Sequence, residues 1–199
     1  SPITGIYTMT DYKVRSTHCD YRAEEDQIYA SLKRATDPLT ATWERLARAK
    51  RIGIKFNHDQ LTDNWIRYEG QLQQLVSEKV ARAFLRLMRE RTDAELVSPD
   101  VSYYAMYDGT DPQETYTLLP ILREFGVEFI DGTKPPYAMY PVPGGGQMFR
   151  QYLLPQRAME VDEFISVAKM KNHAFMGITL SLKNLFGLMP GEPEGNTRT

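Results

Sequence analysis

Apolar residues in this chain recur with two periods, and the switch between them predicts the elements. Leu72, Leu75, Val76, Val80, Phe84, Leu87 and Met88 follow spacings of three and four, which predicts an amphipathic helix over residues 71–91. Shorter helices are predicted over 24–35 and 38–49. Asp37 would cap the second, and Pro38 would take its first helical position. Residues 51–57 (Arg-Ile-Gly-Ile-Lys-Phe-Asn) form a short apolar run that ends in Asn57, His58 and Asp59, a strand opening into a polar loop. Further strands are expected at 94–97 or 101–106, at 127–131 and at 163–168, the last as a buried strand. Residues 147–154 suit an edge strand or hairpin arm. A helix is expected over 112–125, entered from the turn-rich segment 107–112 and stopped by Gly126. A short helix is expected over 179–186, with Thr179 as its cap and Gly187 just past its end. Residues 132–146, rich in Pro and Gly, are expected as a long loop.

Strands alternating with helices define an α/β fold with a mainly parallel sheet covered by helices on both faces. Residues 1–22 show no period and are read as an N-terminal arm, and residues 23–199 as a single α/β domain. The chain starts Ser1-Pro2 without an initiator Met, and 191–199 has loop composition. These features suggest part of a longer chain, with the sheet incomplete at its C-terminal end.

Composition narrows the classes. With 42% hydrophobic and 25% charged residues among 199, the chain has ordinary globular make-up. A formal net charge of −2 gives no overall sign of a nucleic-acid binder or a polybasic membrane protein, although a local cationic patch is compatible with it. No run of about 18 apolar residues predicts a transmembrane helix, and no signal-peptide pattern is present. The compartment stays open, cytoplasmic or exported after leader removal. Cys19 is the sole cysteine, so an intrinsic cysteine-ligated iron–sulfur cluster and a cysteine-rich zinc site are not expected, and the cofactor is otherwise unknown.

The densest candidate chemistry is Lys169-Met-Lys-Asn-His173, which directly follows the apolar run 164–168. Open α/β sheets place ligands at the carboxyl ends of their strands. Lys169 and Lys171 would share one strand face. Thr179 and Lys183 would share a helix face, near a helix N-terminus with unsatisfied N–H groups. Such a set suits a carboxylate or phosphate. Lys55, Lys169, Lys171 and Lys183 would bind it. His173 would act with Lys171 in acid–base chemistry, and Asn57, Thr179 and Asn184 would orient the ligand. Asp108, in Tyr107-Asp-Gly109, would pair with the site lysines or help to hold a metal. Plainer alternatives stand beside these: lysines on a solvated face, Lys55 snorkelling from an edge, and Asp108 as a turn or cap residue. His18-Cys19-Asp20 and His58-Asp59 lack zinc spacing. Gly144 to Gly146 lacks the strand-to-helix context of a dinucleotide fingerprint.

These residues resemble the domain of unknown function 362 family. The segment 167–173, ending Lys-x-Lys-x-His, then Thr179 and Lys183-Asn-Leu-Phe-Gly187, is similar to that family's hallmark. Residues 52–57 resemble its early Ile-Lys-Pro-Asn strand, with Phe56 in place of Pro. Asp108 falls where the family has Gly-Asp, and Asp162 where it has an acidic residue before the hallmark strand. The resemblance covers about residues 40–190 and implies no particular reaction. It implies that some members carry ferredoxin-like iron–sulfur modules, that some are exported by the twin-arginine route, and that members continue past Lys-Asn-Leu-Phe-Gly. Three readings follow, with enzyme activity left open. One is a domain for a small anionic ligand, ranked first because lysines outnumber metal-ligand types. The second is an accessory or redox-partner module for an iron–sulfur protein. The third is a metal-dependent enzyme using His173, Asp108 and His58.

Overall fold

The computed structural model describes residues 14–147, 149–173 and 176–190. Helices α1 (Glu25–Thr36) and α2 (Thr40–Arg48) lead into strand β1 (Arg51–Phe56). A capping box between Glu24 and Gln27 starts α1. Asp37 closes α1 instead of opening α2, whose N-cap is Leu39. The stretch predicted as one helix over 71–91 divides. A hairpin of β2 (Arg67–Tyr68) and β3 (Gln71–Leu72) comes first, and α3 runs only over Glu78–Arg91. Ser77 sets that start, because its side chain accepts the Val80 N–H. Leu72, Leu75 and Val76 are buried from strand β3 and the bend that follows it, not from a helix face.

Strand β4 (Glu95–Asp100) extends the first of the two predicted alternatives. The second, 101–106, is instead the start of α4 (Tyr103–Asp108), capped by Ser102 accepting the Ala105 N–H. The predicted helix 112–125 is interrupted, giving α5 (Pro112–Thr115) and α6 (Leu119–Glu124). The break lies at Tyr116, whose ring is buried and whose hydroxyl meets Ser98 Oγ at 3.2 Å. Strand β5 (Val127–Asp131) follows Gly126, which takes a left-handed φ of 61°. The expected Pro- and Gly-rich loop contains β6 (Tyr137–Pro141), paired antiparallel with β7 (Gln151–Pro155). Then come α7 (Gln156–Met159), β8 (Glu163–Val167), the antiparallel pair β9 (Lys171–His173) and β10 (Gly177–Thr179), and α8 (Ser181–Leu185). A 3-10 turn over Phe186–Leu188 continues α8. Thr179 therefore ends a strand and is not the helix cap, a place taken by Leu180. Gly187 lies within the final turn.

The main sheet has the order β5-β4-β1-β8 and is parallel throughout. Crossovers from β1 to β4 to β5 move outward on one side, and β8 returns to the other side of β1. The order reverses between β1 and β8, which is where open α/β sheets form a crevice beyond the strand carboxyl ends. Strand β8 is an edge strand and half-buried, not the buried strand expected.

Alternation along β1 separates two faces. Ile52, Ile54 and Phe56 join Leu85 and Met88 of α3 and Leu119, Ile121 and Leu122 of α6 in the main core. Each fully buried side chain of this kind contributes roughly 1.5–3 kcal/mol. Gly53 and Lys55 turn to the opposite face, where Asn184 of α8 and Gly187 lie over Lys55. A Cβ on Gly53 would sit 2.5 Å from Cδ2 of Phe164, its partner on β8, so glycine is what lets that ring cover the strand.

Candidate functional site

The β1–β8 crevice is built around Lys55, paired in register with Ser166. Lys55 and Asp100 are each 3% exposed. The ammonium donates to Asp100 Oδ2 at 2.7 Å and to the Phe56 carbonyl at 2.7 Å. A buried charge requires such partners. Burial pushes the Asp100 carboxyl up to about 7 against the pull of Lys55, and Asp59 adds to the upward shift.

The Lys-Asn-Leu-Phe-Gly segment is the roof of this pair. Asn184 Nδ2 donates to the Lys55 carbonyl at 2.9 Å and to Ser166 Oγ at 3.0 Å. Ser166 Oγ in turn donates to the Ser181 carbonyl at 3.0 Å. The Val101 N–H donates to the Gly187 carbonyl at 2.8 Å. A Cβ on Gly187 would approach Lys55 Cε to 2.9 Å and Nζ to 3.1 Å, so only glycine lets the backbone pass this close.

The loop after β1 is braced by its own polar groups. His58 Nδ1 lies 3.1 Å from the Val76 carbonyl and Nε2 lies 2.8 Å from Thr117 Oγ1. A carbonyl only accepts, so Nδ1 carries the proton and Nε2 accepts from the threonine hydroxyl. Burial lowers the His58 pKa to about 4, helped by Lys55 and Lys171 and opposed by the Val76 bond. Asp59 accepts from Ser102 Oγ at 2.7 Å and from the Tyr103 N–H at 2.9 Å. The Asn57 N–H donates to the Val167 carbonyl at 3.0 Å.

In the β9–β10 hairpin, Lys171 pairs with Thr179, Asn172 with Ile178 and His173 with Gly177. Cross-strand partners share a face. Lys171 and Thr179 therefore lie on the inner side, where Thr179 is buried and Lys171 half-buried, while Asn172 and Ile178 are exposed. Burial lowers the Lys171 pKa, followed by the charges of Lys183 and Lys55, with Asp59 acting the other way. His173 is also lowered, by burial and then by Lys183 and Lys171. Its Nδ1 accepts the Met176 N–H at 3.2 Å. Lys183 Nζ stands 4.8 Å from the Phe186 ring centroid, a cation–π contact. Asn57 Oδ1, Thr179 Oγ1 and Asn184 Oδ1 are buried without a hydrogen-bond partner.

Lys171 thus lies within the field of Lys183 and Lys55, and His173 within that of Lys183 and Lys171, with Thr179 on the strand paired with Lys171 and Asn184 beside Lys183 on α8. The structure separates two of the predicted residues. Lys169 lines another hollow, of about 600 Å³, with Tyr21, Leu75 and Met170. Asp108 is exposed at the end of α4, and the carboxylate on Lys55 is Asp100. The signal for Asp100 was its place as the last residue of a strand parallel to β1. Among the described residues, no three His, Cys, Asp or Glu side chains gather in a way that could hold a metal ion, and His58 and Asp108 do not join His173. Among the same residues, no helix is long and apolar enough to cross a membrane.

The model of a domain of unknown function, DUF362, matches residues 64–198, and the chain belongs to that family. A thylakoid-associated protein of Synechocystis sp. is 25% identical over 169 residues, covering 85% of this chain and 48% of that protein. The chain spans about half the length of this curated relative. No solved structure matches the chain.

Proposed function

We propose that this member of the family binds a small anion, a carboxylate or phosphate, at the crevice between β1 and β8. Lys171 and Lys183 bind it directly. Lys55, already held by Asp100, contributes its field and the floor of the site. His173 exchanges a proton with the bound molecule, the Thr179 hydroxyl donates to it, and the amide oxygens of Asn184 and Asn57 orient it by accepting from a hydroxyl that it carries. The observation that carries this reading is the position of Lys171. It stands on the inner hairpin face, half-buried, close enough to Lys183 and Lys55 for their charges to depress its pKa. Like charges collected at a strand end repel, and an anion between them relieves that repulsion.

The acid–base role follows from the same electrostatics. Burial, and then the charges of Lys183 and Lys171, hold His173 below its ordinary value, which favours the neutral imidazole. A bound anion opposes those cations and raises the His173 pKa, and binding then takes up a proton. Affinity is therefore expected to rise as pH falls into the range where His173 takes up its proton.

Thermal denaturation of the full chain with inorganic phosphate and a panel of small carboxylates is the test. At least one anion should raise the melting temperature, more strongly at the lower pH, and Lys171→Ala should abolish the rise. A panel without any shift, with wild type and Lys171→Ala indistinguishable, overturns the reading.

A further inference from the structure

The hollow of about 600 Å³ beside Lys169 has a size common among small-molecule sites. Its walls come from residues 17–23, α1, the β2–β3 hairpin with the bend after it, the first turn of α3, and residues 168–170. The inner wall is aliphatic. Leu72, Leu75 and Val76 are buried there, and Ile28, Leu32 and Val80 are half-buried. Tyr21, Tyr68 and Met170 are exposed and mark its mouth.

Most polar groups of the lining are already engaged. Ser31 Oγ accepts from Arg34 at 2.8 Å, and Ser77 Oγ accepts from the Val80 N–H. Gln73 Nε2 donates to the Gln71 carbonyl at 2.9 Å. Lys79 is paired with Glu24 at 2.7 Å, and Asp20 accepts the Arg22 N–H at 2.7 Å. Lys169 differs from all of these. It is half-buried, and among the described residues no hydrogen bond or ion pair engages its ammonium.

We infer that this hollow binds a free long-chain carboxylate, with the head group on Lys169 and the alkyl chain along the aliphatic wall. Charge selects the head. A partly buried ammonium favours an opposite charge within reach. One unpaired lysine matches one negative charge, and the Asp20 carboxylate on the same hollow disfavours a doubly charged phosphate. The wall selects the tail. It gains from each methylene taken out of water, while the engaged polar groups leave little for a sugar or a nucleotide to bond. The inference does not rest on anion binding in the crevice, because Lys171 pairs with Thr179 and is not part of the hollow's wall.

Isothermal titration calorimetry of the full chain with hexanoate, octanoate and decanoate tests it, at mildly alkaline pH, where the carboxylates are ionised and the lysine is charged. Affinity should rise about fourfold for each added methylene. Lys169→Gln should weaken decanoate by about tenfold or more, the size expected for a lost charge-assisted hydrogen bond, whereas Lys171→Ala should leave it unchanged. Urea unfolding of Lys169→Gln checks that the variant is folded, and the chain-length series on wild type stands without it. No binding of any of the three, or an affinity that does not change with chain length, overturns the inference. So does a folded Lys169→Gln that binds as tightly as wild type, or a loss confined to Lys171→Ala. A chain that floats with phosphatidylcholine–phosphatidylglycerol vesicles yet binds no free decanoate overturns it as well, and assigns the hollow to a bilayer surface.

Discussion

Lys55 and Lys171 stand at the same end of the sheet in opposite circumstances. Lys55 is 3% exposed, holds two acceptors at 2.7 Å and lies beneath Gly187 and Asn184. Lys171 is half-buried on a three-residue strand, and burial and two other lysines outweigh Asp59 in lowering its pKa. The difference teaches that a lysine's surroundings, not its presence in a motif, decide its task. Where a carboxylate and a carbonyl already satisfy the ammonium, it organises the fold. Where like charges crowd it, burial is incomplete and the fold does not depend on it.

The most forceful way to break the comparison is to unpair Lys55. Lys55→Ala or Asp100→Ala should each cost about 3–5 kcal/mol in urea unfolding, because the remaining buried charge or carboxyl loses its partner. Replacing both by apolar residues, Lys55→Met with Asp100→Leu, should recover much of that loss. Equal stability of all three variants and wild type would show that the pair is not structural.

A second test titrates the braced loop. The unfolded chain takes up a proton at His58 below about 6.5, whereas the folded chain does so only below about 4. Stability is then complete above pH 6.5 and falls as pH drops toward 4, by roughly 3 kcal/mol in all. His58→Gln should flatten that fall, as followed by chemical denaturation at a series of pH values.

The smallest effect sharpens the contrast. Lys171→Ala should leave stability within about 0.5 kcal/mol of wild type, or raise it slightly by relieving repulsion. A loss comparable to that of Lys55→Ala, measured in the same urea titrations, would place both lysines in one structural class.

Much of the fold was legible because it rests on local pattern. The parallel strands at 51–57 and 127–131 and the helical period through Val80, Phe84, Leu87 and Met88 need only their own residues to be recognised. The misread elements were those where two periods fit equally well. Leu72, Leu75 and Val76 satisfy helical spacing, yet they are buried from a short strand and a bend because Ser77 caps α3 later. Thr179 and Lys183 fit one helix face by spacing, but Thr179 pairs across a hairpin with Lys171.

The sequence by itself determined the α/β order, the family hallmark and the gathering of Lys171, His173, Lys183 and Asn184 within a few turns of chain. Those features are short-range, and chemistry at fixed spacing carries them. Tertiary structure alone decided that Asp100 and not Asp108 meets Lys55, that Lys169 turns into a separate hollow, and that the hairpin puts its lysine inside and its aliphatic residues outside. Strand order and register set those outcomes by bringing residues tens of positions apart side by side, and burial then determined which of them needed a partner.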